Sequence, residues 1–102
     1  MPTAYITCPP DAADELAAKL VDERLAACVN IVACRSQYRW EGDVVRDDER
    51  ILLCKTSDER YDDLAERVLE LHPHEVPCIE RYDIAEVHEP FGAWIDAVTD
   101  GQ

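Results

Sequence analysis

An α+β fold is predicted by three observations on this sequence. Apolar segments of strand character alternate with segments of helical period in the order strand, helix, strand, strand, helix, strand. Turn chemistry stands between the two central strands, and a last apolar segment opened by a proline follows the fourth. At 102 residues the chain fits one domain, residues 1–102, with one core.

Thr3 to Cys8 alternates Thr and Tyr with Ala, Ile and Cys, and Pro9 and Pro10 forbid its continuation, which defines the first strand. From Asp11 the period changes. Ala13, Leu16, Ala17, Leu20 and Val21 recur at helical spacing, so a helix is expected to about Arg24, with Asp11 as its N-cap. Small and apolar residues from Ala26 to Cys34, then Tyr38 and Trp40, lead to the turn residues Glu41, Gly42 and Asp43 before Val44 and Val45. This is a long β-hairpin whose second arm runs through Ile51, Leu52, Leu53 and Cys54 to Thr56. Ser57 or Asp58 is placed to cap a second helix, striped by Tyr61, Leu64, Ala65, Val68 and Leu71 and ended by His72-Pro73. Val76 to Val87 reads as the fourth strand, and Pro90 opens a closing helix with Phe91, Trp94, Ile95 and Val98. The order is the ferredoxin-like βαββαβ arrangement, an antiparallel sheet with both main helices on one face, plus a C-terminal helix.

A sheet with one covered and one wet face should alternate apolar with polar residues. Ile31 to Cys34 and Ile51 to Cys54 are instead continuously apolar. Either a second copy of the chain covers the other face, which is the reading preferred here, or part of the run lies under the terminal helix around Trp94.

Asp plus Glu number 23 against 10 for Lys plus Arg, a net charge of -13. That balance repels phosphate backbones and anionic membranes, so neither nucleic acid nor membrane is an expected partner. Only Lys19 and Lys55 are lysines. Acid-rich, Lys-poor surfaces suit high salt, where self-repulsion is screened, and melting is expected to drop on dialysis from molar to millimolar salt. No apolar run approaches the ~20 residues of a membrane span, and no charged leader precedes an apolar run, so a cytoplasmic location is expected. The 5 cysteines are odd in number and form no CxxC pair; each lies in a strand-like stretch and reads as a free core thiol. With 3 glycines a phosphate-cradling loop is close to excluded, and no organic cofactor is indicated. No nucleophile elbow or HExxH is present, so the chain is not expected to be an enzyme.

His72-Pro73-His74-Glu75 is the densest group of potential ligands. His72 and His74, two apart, either share one metal ion or belong to a helix-ending loop with His74 exposed. Cys8, at the end of the first strand, is either strand packing or a soft thiolate, and a Cys plus His pair suits copper or zinc. Tyr38 and Trp40 share one face of the hairpin, where they pack on a neighbouring subunit, line a small-molecule cleft or fill the core. Lys55 ends an apolar strand, where a salt bridge and an anion-binding role are both open.

Five blocks carry a family resemblance: Glu23 to Asn30, Ser36 to Gly42, Glu49 to Thr56, His72 to Pro77, and Trp94-Ile95. In this order, from end to end of the chain, they resemble the CutA divalent-cation tolerance family. The resemblance implies a ferredoxin-like fold assembled as a homotrimer, and a link to tolerance of divalent metals, copper in particular. By position it implies metal binding through Cys8 and His72, with His74 or Glu75 as supplements. Two positions depart from the pattern: Leu71 stands where some relatives have a second histidine, and His74 where tyrosine is usual. In animal relatives the family is associated with anchoring or maturation of another protein. The metal-responsive homotrimer therefore has two rivals. One is a sensor of an anionic small molecule, using intersubunit clefts lined by Tyr38, Trp40, Lys55 and Glu75 with Arg39 nearby; the other is a trimeric scaffold without ligand.

Overall fold

The computed structural model describes residues 1–100. Its elements run β1 (Pro2–Cys8), α1 (Pro10–Asp22), β2 (Cys28–Trp40), β3 (Asp43–Lys55), α2 (Tyr61–Leu71), β4 (Ile79–Asp83) and α3 (Glu89–Thr99). The four strands form one antiparallel sheet in the order β2-β3-β1-β4, the ferredoxin-like topology with a C-terminal helix that the residue pattern predicts. Ala4, Ile6 and Cys8 of β1 and Leu52 and Cys54 of β3 point to the same side, where Leu16 and Leu20 of α1 and Leu64 and Val68 of α2 close the core. Inward residues alternate along each strand, so Tyr5, Thr7, Glu49, Ile51 and Leu53 occupy the opposite face.

Local chemistry explains the element ends and corrects several expected caps. Helix α1 starts one residue before Asp11: Pro9 is the N-cap, Pro10 opens the helix, and Asp11 instead places its carboxylate in the first turn, where the dipole favours it. The helix stops at Asp22 rather than Arg24, because Arg24 adopts a left-handed φ of 60°. Its N–H donates to Val21 O at 3.1 Å and that of Leu25 to Leu20 O at 2.9 Å, the pair of bonds that closes a Schellman cap, with Leu20 and Leu25 both buried. The hairpin between β2 and β3 turns on Glu41 (φ 49°) and Gly42 (φ 87°), the two positive values a type I′ turn requires, and it brings Trp40 opposite Asp43.

Neither Ser57 nor Asp58 caps α2 with its side chain; the N-cap is Arg60. The Arg60 N–H donates to Ser57 O at 3.2 Å in a preceding turn, while Asp58 pairs with Arg81 at 2.9 Å and with the N-terminal ammonium at 3.7 Å. Strand β4 covers Ile79–Asp83, not 76–87. Its length is set by β1, whose ladder to β4 spans Pro2↔Asp83 to Ile6↔Ile79. Cys78 consequently lies just before a strand, whereas Cys8, Cys28, Cys34 and Cys54 are in strands; Cys28, Cys34 and Cys78 are half-buried, Cys8 and Cys54 buried, and all five thiols are free.

One buried hydroxyl joins distant segments. Thr56 Oγ1 donates to Leu25 O at 2.7 Å, tying the end of β3 to the loop after α1. Thr56→Val keeps the shape and strands a buried carbonyl, so a loss of about 1–3 kcal/mol in urea unfolding is expected.

On the sheet, Ile31 faces the helix side opposite Leu52 and Val32 faces away opposite Ile51, yet they are 40% and 44% exposed. The terminal helix does not cover them, since Trp94 is itself exposed and stacks on Phe91 at 5.7 Å. The two-sided apolar strand therefore stands open in the single chain.

Candidate functional site

The expected ligands gather where β1 ends and α2 ends, and the geometry separates them into two pairs. Cys8 is the last residue of β1 and is fully buried on the helix side of the sheet. Burial, followed by the nearby Glu49 carboxylate, pushes its thiol up to about 11. A soft metal ion binding there has to displace that proton.

His72, 7% exposed, is the C-cap of α2. Its Nε2 lies 2.8 Å from Thr7 O and its Nδ1 accepts the His74 N–H at 3.1 Å. A carbonyl only accepts and a backbone amide only donates, so the ring is the Nε2–H tautomer with its one lone pair already engaged. Nothing remains for a metal ion without breaking one of these bonds. In this arrangement His72 is a clamp between the end of α2 and the end of β1, and Cys8 with His72 does not fit a metal.

His74 and Glu75 are both exposed, in the segment between α2 and β4. The His74 ring is tilted against that of His72 at 5.0 Å. Beside them opens a cleft of about 650 Å³. Tyr38, Trp40 and Glu41 from the far end of the hairpin form one wall, His74, Glu75 and Val76 another, and Thr7, Ser36, Glu49 and Cys78 also line it. Tyr38 donates its hydroxyl to Asp47 at 2.6 Å, a bond that raises its pKa and fixes the ring on the hairpin.

Lys55 is not part of this cleft. It pairs with Thr3 and Cys28 at the other end of the sheet, about ten residues along β3 from Val45, the partner of Tyr38. At roughly 3.3 Å per residue that is a separation of ~33 Å within one chain. Among the described residues, no three His, Cys, Asp or Glu side chains converge as a ready metal cage. Glu49, missed among the candidate site residues, is 7% exposed and faces the cleft. Its signal was in the strand pattern, as a carboxylate at an outward position two before the apolar Ile51.

Fold and site together define a class: a small ferredoxin-like α+β domain with an acidic, aromatic-walled cleft at the end of its first strand. The chain belongs to the CutA1 divalent ion tolerance protein family, whose pattern it matches over residues 3–98. It is 48% identical over 92 residues to the divalent-cation tolerance protein CutA of Thermus thermophilus, covering 88% of this chain and 89% of that protein. The crystal structure of CutA1 from Pyrococcus horikoshii superposes with a TM-score of 0.94 at 36% identity over 98% of this chain and 99% of that one. The PII-like protein CutA from Nostoc, in apo form, reaches a TM-score of 0.96 at 29% identity over the whole of both chains.

Proposed function

We propose that this protein serves divalent-cation tolerance as a non-catalytic homotrimer that binds the metal ion at the mouth of the cleft, through His74 and Glu75. The observation that carries the reading is the exposure of these two groups, adjacent in sequence and on one cleft wall, while Cys8 and His72 are enclosed. An imidazole beside a carboxylate suits copper(II) or zinc, and the surrounding acids raise the local concentration of either cation. A tolerance role is also the one carried by the names of the relatives. The exposed apolar residues of β2 support assembly of several copies.

Titration with copper(II) and zinc is expected to weaken about tenfold or more in His74→Ala combined with Glu75→Gln, as expected for removing the first coordinating groups, and to stay unchanged in Cys8→Ala. Equal affinity in the parent and the double variant would remove the site. Sensing of an anionic ligand is the weaker reading, because the cleft wall carries Glu41, Glu49 and Glu75.

A further inference from the structure

Glu49 is the most unusual polar group of the cleft. It sits in the middle of β3 opposite Cys34, where the sheet otherwise turns Ile51 and Leu53 outward, and it is more than nine-tenths buried. Among the described residues its carboxylate has no hydrogen bond and no ion pair; the Arg50 guanidinium donates to the Glu49 backbone carbonyl at 3.0 Å instead. The oxygens are not sealed in, since Thr3 Oγ1 is the sole fully enclosed side-chain oxygen or nitrogen without a partner among those residues. They open on the cleft. A carboxylate so largely desolvated and left unpaired is held at a disadvantage that a bound cation relieves.

The surroundings specify what kind of cation. Tyr38 and Trp40 present aromatic rings at the far end of the cleft, Glu41 and Glu75 place further carboxylates around it, and no lysine or arginine is among the described residues that line it. The cleft volume of about 650 Å³ is far larger than one metal ion needs and falls in the range of small-molecule sites. Aromatic faces attract organic ammonium groups, and carboxylates take their N–H donors in charge-assisted bonds.

We infer that the cleft binds a small aliphatic diamine or polyamine, with one ammonium group on Glu49 and its chain against Tyr38 and Trp40. A second ammonium group then meets Glu75 or Glu41. This ligand is distinct from the metal proposed for His74 and Glu75, and its main anchor is a residue to which that proposal gives no part.

The test uses the intact protein freed of metal with a chelator, and 1,4-diaminobutane as the probe, followed by calorimetry. Saturable binding of one probe per chain is expected, at least tenfold weaker in Glu49→Gln, in line with the loss of a charge-assisted bond. Trp40→Leu, at the exposed end of the hairpin, is expected to weaken binding about threefold through loss of apolar contact with the methylene chain. Glu66→Gln makes the same change of charge on the exposed face of α2 and is expected to leave binding within a factor of about two of the parent. 1,4-Butanediol, of equal length but uncharged, is expected not to bind at the same concentrations. Equal weakening in Glu49→Gln and Glu66→Gln would overturn the inference, because it would mean diffuse attraction to a surface of net charge -13. So would undiminished binding in Glu49→Gln, binding of the diol, or no saturation at all. None of these outcomes touches the metal titration, and loss of metal binding in the His74 and Glu75 variant leaves the diamine result standing.

Discussion

Unfolding free energy is expected to fall steeply between pH 9 and pH 11. Two thiols, Cys8 and Cys54, are fully buried in the core, and burial raises them from 9.0 to about 11 and about 12 respectively. In the unfolded chain each loses its proton near 9, whereas in the folded protein each keeps it until the pH passes the raised value. Above pH 9 the folded state therefore binds more protons than the unfolded one, and stability declines as pH rises; below pH 9 both states are protonated and the contribution is whole. Each thiol contributes a slope of up to about 1.4 kcal/mol per pH unit, so two acting together over two units approach ~5 kcal/mol. The sum is an upper figure, because Cys8 is one cause of the Cys54 shift and the two titrations are coupled. A loss of even ~3 kcal/mol is a large part of the ~5–15 kcal/mol that stabilises an ordinary domain. Urea unfolding in reductant at pH 8, 9, 10 and 11 measures it, and Cys54→Ala should flatten the decline while lowering stability at pH 8. A flat profile in the parent would show that these thiols ionise as easily in the folded protein as in the unfolded chain.

The same burial explains what was legible in the sequence and what was not. Element order, the hairpin turn at Glu41-Gly42 and the apolar stripes of α1 and α2 depend on neighbours a few residues away, and periodicity exposes them. The extent of β4 depends on β1, and the fate of Asp58 depends on Arg81 and the N-terminus, so neither could be read locally. His72 shows the limit most clearly. Its sequence context, His-Pro-His-Glu, looks like a ligand set, but the group that engages its ring is the Thr7 carbonyl, 65 residues away. Register likewise separated Lys55 from Tyr38, because thirteen-residue strands carry residues of similar chemistry to opposite ends of a sheet. Alternation along β3 does place Glu49 outward with Ile51 and Leu53, but its desolvation arises from packing across strands and is invisible to period alone. The family resemblance implies a homotrimer and metal binding, and of the four ligand candidates it names or allows, Cys8 and His72 are enclosed while His74 and Glu75 are exposed.

Val32→Asp is expected to dissociate the proposed assembly. Val32 lies on the outward face of β2, opposite Ile51, and β2 is one of the two edges of the sheet. An edge strand of thirteen residues with an unpaired row of backbone donors and acceptors, and with apolar Ile31 and Val32 half-exposed, is a template for pairing with another chain unless something covers it. The charged tip of the hairpin, with Arg46 and Asp47 exposed, does not protect the apolar stretch from Ile31 to Cys34 at the other end. Covering that stretch with copies of the same chain buries Val32 in each interface, and a carboxylate buried there without a partner costs several kcal/mol per subunit. In a closed ring of three the penalty is repeated at every contact, so the assembly should fall to the mass of one chain, 11.6 kDa, in light scattering at micromolar concentration. Far-UV circular dichroism should keep the strand and helix signals, because Val32 points away from the core between sheet and helices. Ala18→Asp, on the exposed side of α1, adds the same charge without touching β2 and should leave three chains together. A parent protein that already scatters as one chain would overturn the assembly, and a Val32→Asp variant that still scatters as three would place the contact elsewhere than on this strand.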